Sequence, residues 1–308
     1  MLFEKLRSIT ESKSIKGILY MLAAVALIGV MNASAKVTTN DHNPIEIIFY
    51  RSVIGLVIIF IWLSFHKNIH RLKTEKPLLH ISRALVGTTG MFFMYWAYAL
   101  LPMTDVSALL LTSSLFVGIL SGPVLRENVG PWRWGAIIIG LIGAVIVANP
   151  TGELFNAKGV IAALLAALSG ACVSIFLRSM GKTEEPITTT FYVALTGVGL
   201  TSLYMIFYGH RPTENSIIPL LILSLAGTLS LIFKARAYQL SEASLLSPCH
   251  YTSVLWALLF GFIIFSDVPT PMVLLGSFII ILSNAIIVWR EHILKHQKSD
   301  VQKLDDIP

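Results

Sequence analysis

The sequence predicts an all-α membrane protein: ten transmembrane helices arranged as two inverted five-helix repeats, with both the N and C termini cytoplasmic. Three observations carry that expectation. Of 308 residues, 55% are apolar and 13% charged, too little polar surface to clothe soluble domains of this length. The apolar residues gather in stretches of roughly 18 to 25, each long enough to cross a ~30 Å hydrocarbon core as a helix. The second half of the chain also copies the first. Lys16-Gly17 recurs as Lys158-Gly159, and PIEIIFY at 44–50 recurs as PITTTFY at 186–192, both at an offset of 142. GTTGMFFMYWAYAL at 87–100 faces GTLSLIFKARAYQL at 227–240 at an offset of 140, with six of fourteen positions identical. An odd number of spans per copy forces the second copy to enter from the opposite side. The axis relating the copies then lies in the membrane plane, an arrangement that transporters use.

The elements follow in order. An arm at 1–14 precedes the first repeat at 15–149; the second repeat occupies 157–290, and a tail runs 291–308. In the first repeat the spans are expected at about 15–37, 44–65, 77–100, 104–125 and 131–149. In the second they are expected at about 157–179, 186–207, 217–240, 243–266 and 271–289. The segment 15–37 is too long for a secretory signal and is followed by further spans, so it is expected to remain in the mature protein.

Charge settles the expected orientation. The net charge of +6 suggests nucleic acid only until its distribution is read. The arm (Lys5, Arg7, Lys13, Lys16), the 66–83 loop (Lys67, Arg71, Lys73, Lys76, Arg83), the 126–133 turn, Arg178 with Lys182, Lys234 with Arg236, and the tail hold 19 of the 23 Lys and Arg. The opposite loops hold Lys158 and Arg211. Cationic loops stay on the cytoplasmic side, so the chain is expected in the inner (cell) membrane as a multi-pass protein with no nucleic-acid partner. Lys36 and Arg51 are left within or at the end of spans.

The chemistry of soluble sites is missing. Cys172 and Cys249 stand singly in apolar segments, without CxxC spacing or neighbouring His or carboxylates at ligand distance, and read as small apolar fillers. Phosphate loops, nucleophile elbows and zinc pairs are absent from the sequence. Loops mostly shorter than about ten residues leave no room for a separate catalytic domain. No catalytic residue, metal site or cofactor is therefore expected.

Two long runs carry a family resemblance: ALLLTSSLFVGILSGPVLRENVGPWRWGAIIIGLIGAVIVANP at 108–150 and ASLLSPCHYTSVLWALLFGFIIFSDVPTPMVLLGSFIII at 243–281, joined by the FYR of 49–51. They resemble the drug/metabolite transporter superfamily, in its EamA-type ten-helix branch, over about 15–290. The resemblance implies a transporter of small metabolites such as amino acids, amines, carboxylates, nucleotides, vitamins or S-adenosylmethionine, with the fifth and tenth helices peripheral. Where the family pattern ends its fourth and ninth helices with Leu/Phe-Gly-Glu, this chain has Leu125-Arg126-Glu127 and Phe265-Ser266-Asp267. The usual proline of the fourth helix is Ser114, and the Pro-Phe-Glu-Tyr often found in the ninth is Pro248-Cys249-His250-Tyr251.

An inverted repeat permits a comparison inside one chain. Groups present in both copies serve a common scaffold: Gly87 with Gly227, Thr88 with Thr228, Tyr98 with Tyr238, Ser107 with Ser247, Glu127 with Asp267, the two tyrosines having as a second reading that they line the path at its two gates. Polar groups present in one copy are the candidates for contacting an asymmetric substrate. Arg51 is opposed by Val193 and lies seven residues into its helix, roughly 10 Å below the surface. At that depth an Arg faces a polar cavity or a buried partner, either as a substrate contact or as a strut on a neighbouring helix's carbonyls. Glu46, five residues earlier, points about 140° away around the helix and is not expected to pair with it. His250 is opposed by Leu110 and sits beside Pro248 and Tyr251. It is read as lining the cavity, with core packing as the plainer reading, and an imidazole also suits a coupling proton.

Asn32 and Lys36 share one face of the first helix, and Tyr95, Tyr98, Tyr251 and Trp256 are mid-span aromatics. Trp132, Trp134 and Trp289 read as interfacial belt. The expected substrate-binding set is Asn32, Lys36, Arg51, Tyr95, Tyr98, Ser113, Tyr238, His250, Tyr251 and Trp256, lining a central cavity with alternating access. Its partners are a small-molecule substrate, the bilayer, and a coupling proton or ion. A lipid-directed membrane enzyme would need convergent acids or metal ligands, which the sequence lacks. A scaffold or sensor without flux would not need titratable groups at mid-depth in several helices.

Overall fold

The structure, a computed structural model, describes residues 2–66, 72, 74, 76–125, 130–149, 152, 155–180, 185–240 and 243–287. Its helices are α1 (Leu2–Thr38), α2 (Pro44–His66), α3 (Pro77–Leu100), α4 (Met103–Leu110), α5 (Ser113–Leu125) and α6 (Pro131–Ala148) in the first repeat. The second repeat holds α7 (Ala157–Met180), α8 (Pro186–Tyr208), α9 (Glu214–Leu240), α10 (Ala243–Phe265) and α11 (Pro271–Ile287). Pro44, Pro77, Pro131, Pro186 and Pro271 each open a helix, at the position where the missing N–H is one that the first turn leaves unpaired anyway.

The helices run alternately between two ends of the bundle. One end carries the turn around Asp41, and the other carries Lys76, where α3 begins. Six helical segments are long and apolar enough to cross a membrane, with shorter apolar helices at Trp134–Ala148, Cys249–Phe265 and Pro271–Ile287. Ile142 and Val145 on α6, Leu203 and Ile206 on α8, and Phe262 and Ile263 on α10 are exposed, an apolar exterior that only a bilayer satisfies over such an area. α3 belongs to neither group because its buried face is polar, carrying His80, Arg83, Thr88, Tyr95 and Tyr98.

The packing obeys the two-fold axis that the repeat predicts. α1 lies along α9 and α10, and its counterpart α7 lies along α3 and α5, while α2 meets α8 at the axis. Individual contacts repeat as well. A Cβ added at Gly55 would stand 3.9 Å from that of Ala194, and one added at Gly197 would stand 3.1 Å from that of Ser52. Gly87 faces Val173, and Gly227 faces Met31. Each pair is the other shifted by the sequence offset. At the periphery α6 and α11 cross backbone to backbone: a Cβ at Gly143 would lie 2.9 Å from the carbonyl of Gly276, and one at Gly276 would lie 2.6 Å from the carbonyl of Gly143. Small residues permit such an approach where lipid offers no hydrophobic drive. Ser114, in the place of the family's proline, donates to Asn284 Oδ1 at 2.6 Å and ties α5 to α11.

The structure keeps the predicted fourth span, within which Met103–Leu120 is long and apolar enough to cross a membrane, but interrupts its helix. The segment 104–125 is not one helix but α4 and α5, broken at Leu111 and Thr112. There the Leu111 and Thr112 N–H groups reach three residues back, to Ala108 and Leu109, instead of four. The Thr112 hydroxyl takes the Leu109 carbonyl at 2.6 Å, a local bond that competes with the helix ladder. Cys249 is buried beside Met21, Val25 and Leu246, as a filler should be.

Candidate functional site

Between the ends, polar groups from α1, α2, α3, α9 and α10 converge on the interior in three levels. The first lies at the Asp41 end. Lys36, on the last turn of α1, donates to the carbonyls of Tyr98 at 3.2 Å and Leu101 at 2.7 Å. A cation there satisfies carbonyls that the end of α3 leaves unpaired and complements its dipole. The ammonium also sits 5.6 Å from the Phe265 ring centre and within electrostatic reach of Asp267 and Asp105. Asp267 accepts the Met103 N–H at 3.3 Å at the start of α4. Lys36, predicted to meet substrate, thus holds α3 against the α10 end.

Glu46 is the other fixed point at this end. Its carboxylate, 1% exposed, takes the His42 ring at 3.0 Å, the Asn43 N–H at 3.2 Å, and both the N–H and ring of His210 at 3.0 and 2.8 Å. His42 in turn bonds Ser216 at 2.9 Å, and the Tyr50 hydroxyl donates to the His210 carbonyl. The network joins the α1–α2 turn to the α8–α9 turn, one from each repeat. Glu46 does not pair with Arg51, in line with the helical spacing.

The second level is deeper. Tyr95 and Tyr98 are 0% and 1% exposed, and their hydroxyls are buried without hydrogen-bond partners. Tyr98 lies beside Ser107 and Asn32 without closing a bond, for the Asn32 carbonyl and the Ser107 hydroxyl are unpartnered too. Arg51, half-buried, reaches Met91 Sδ at 2.6 Å and is close enough to Tyr95 for its charge to be felt there. Its guanidinium lies against Gly227. Among the described residues no carboxylate pairs with it, so a planar fork of donors faces a thioether and a phenol.

The third level lies toward the Lys76 end, where Arg83, Lys234 and His250 approach one another from α3, α9 and α10. Sequence reading counted Arg83 among loop cations. The structure places it in the second turn of α3, 5% exposed. The signal was available, since Arg83 lies six residues inside its predicted span where Arg51 lies seven inside its own.

The other predicted residues divide. Ser113 opens α5 and faces α7 at Gly170. Tyr251 is half-buried against the main core. Trp256 packs on Gly29 of α1 and stacks on Phe260 at 5.8 Å, so it serves the α1–α10 interface. The Tyr238 side chain, like Ser247 and Glu127, lies outside the described residues.

Two inverted helical repeats closed around a polar, charge-bearing interior define a multi-pass membrane transport protein. The model of the EamA-like transporter family matches residues 15–149 and 157–289, and the chain belongs to that family. It is 26% identical over 93% of its length to an S-adenosylmethionine uptake transporter of Rickettsia felis, covering 97% of that protein. It is 29% identical over 89% of its length to a riboflavin transporter of Vibrio cholerae, covering 93% of it. A crystal structure at 16% identity superposes over 90% of this chain and 98% of its own with a TM-score of 0.63, which confirms the fold. The protein is accordingly a transmembrane transporter of small metabolites, not an enzyme.

Proposed function

We propose that this protein carries a small amphipathic metabolite with a carboxylate or phosphate group, moved by alternating access through the interior between the repeats. Arg51 anchors the anionic group in this reading. The observation that carries it is a guanidinium at membrane depth that donates to the Met91 thioether, with no acid paired among the described residues. Such a group is costly unless an anion visits it. The Tyr95 ring, one turn along α3 from Met91 and close to Arg51, offers an aromatic face for the rest of the solute. The relatives named for S-adenosylmethionine and riboflavin fit a solute that joins a ring to a polar chain. The basic loops support an inner-membrane orientation with both termini cytoplasmic.

The test is ligand-induced stabilisation of the purified protein across amino acids, carboxylates, nucleotides, vitamins and S-adenosylmethionine; a ligand at about 100 times its Kd adds ~2.7 kcal/mol. Flux of the hit into liposomes follows. Arg51→Ala is expected to abolish flux while the protein still inserts, and Arg51→Lys to recover little, because a point charge does not reproduce bidentate geometry. Full flux in Arg51→Ala would make Arg51 a strut.

A further inference from the structure

The interior holds a second pair of cations that the Arg51 anchor does not use. Arg83 is 5% exposed, and its Nε and Nη1 are buried without a hydrogen-bond partner. The Arg83 charge is felt by Lys234 of α9, and neither has an acid paired among the described residues. Two like charges brought together inside a bundle, one with unpaired donors, are unfavourable on their own account. An oxyanion between them removes both penalties at once.

Three further facts point the same way. Arg83 lies six residues from the start of α3 and Lys234 six residues from the end of α9, so both stand about 9 Å from the same end of the bundle. Neither is repeated: the counterpart of Arg83 is Leu223 and that of Lys234 is Met94, which is the pattern of groups that meet an asymmetric ligand. Arg83 also shares α3 with Met91, the residue that Arg51 touches, eight positions on and about 12 Å along the axis.

The geometry points to a second oxyanion-binding station, formed by Arg83 and Lys234 toward the Lys76 end, at which the anionic group of the transported metabolite pauses after or before Arg51. It rests on the reading of the interior as the solute's path. A dianionic phosphate suits two cations better than a carboxylate does, and the guanidinium contributes the directional half of the grip.

The test uses the full-length protein in zwitterionic detergent, titrated with inorganic phosphate and followed by thermal unfolding. Phosphate is expected to stabilise wild type, and the part of that stabilisation that depends on Arg83 and Lys234 should remain in Arg51→Ala. Apparent affinity should fall by about tenfold or more in Arg83→Gln and in Lys234→Gln, the loss expected for a charged hydrogen bond. Arg83→Lys, which keeps the buried charge, should bind at an intermediate level and covers the case in which Arg83→Gln fails to fold. Equal stabilisation of every variant, no effect on wild type, or a loss confined to Arg51→Ala would each overturn the station. So would phosphate binding that vanishes in phosphatidylglycerol nanodiscs but persists in phosphatidylcholine, which would assign the cations to a lipid headgroup. The two readings fail separately. Arg83-dependent phosphate binding with normal flux in Arg51→Ala sinks the Arg51 anchor and leaves the station; the reverse result does the opposite.

Discussion

Gly227 of α9 lies against Arg51 of α2: a Cβ added at Gly227 would stand 3.2 Å from both Nε and Nη2 of the guanidinium and 3.1 Å from Met31 Sδ. The repeat counterpart, Gly87, faces Val173 at an ordinary 3.6 Å. The same glycine is therefore scaffold in one copy and a boundary of the site in the other.

Gly227→Ala is accordingly expected to displace the guanidinium and weaken substrate affinity by about tenfold, on the order of 1.4 kcal/mol, with little loss of folded protein. Gly87→Ala should bind within about twofold of wild type, the null size for a surface-like change. Ligand titration of both variants checks the pair. Equal effects would mean that the asymmetry of the two repeats does not reach Arg51.

The end of α10 offers a stability test. Ser266 occupies the place of the family's glycine and adopts φ 54, a left-handed backbone that costs a residue with a Cβ roughly 1 kcal/mol. Ser266→Gly should raise the unfolding free energy by about 0.5 to 1 kcal/mol after glycine's own entropy loss. Ser266→Val, β-branched, should lower it. Thermal midpoints in detergent are the readout, and a Val variant as stable as the Gly variant would contradict the left-handed turn.

Topology is tested by single cysteines. Those near Asp41, Pro102, Gly152, Arg211 and Val268 should react with impermeant thiol reagents outside intact cells. Those near Lys73, Asn128, Lys182 and Glu242 should react after permeabilisation. Labelling of both sets from one side would end the inverted repeat.

Much of the fold was legible because repeat offset and apolar length are properties of the string itself. The offset of 142 returns as Gly55 on Ala194 and Gly197 on Ser52. The break at Leu111 and Thr112 was not legible, because a hydroxyl that turns back on Leu109 at 2.6 Å leaves no mark on hydropathy. In α10 the Thr252 hydroxyl makes the corresponding bond to Cys249, also at 2.6 Å, within an unbroken helix. The site was legible in part. Depth singled out Arg51, but only packing shows that Lys36 is spent on the carbonyls of Tyr98 and Leu101. Arg83 was grouped with the basic loop beside it although the span expected from 77 already contained it.

The Glu46 cluster has a bearing on how this end opens. One carboxylate, 1% exposed, accepts from both turns at once, so parting those turns takes several donors from it together. A partial opening costs nearly what a complete one does. In the proposed cycle this end is then expected to part as one unit, both turns moving together rather than loosening donor by donor.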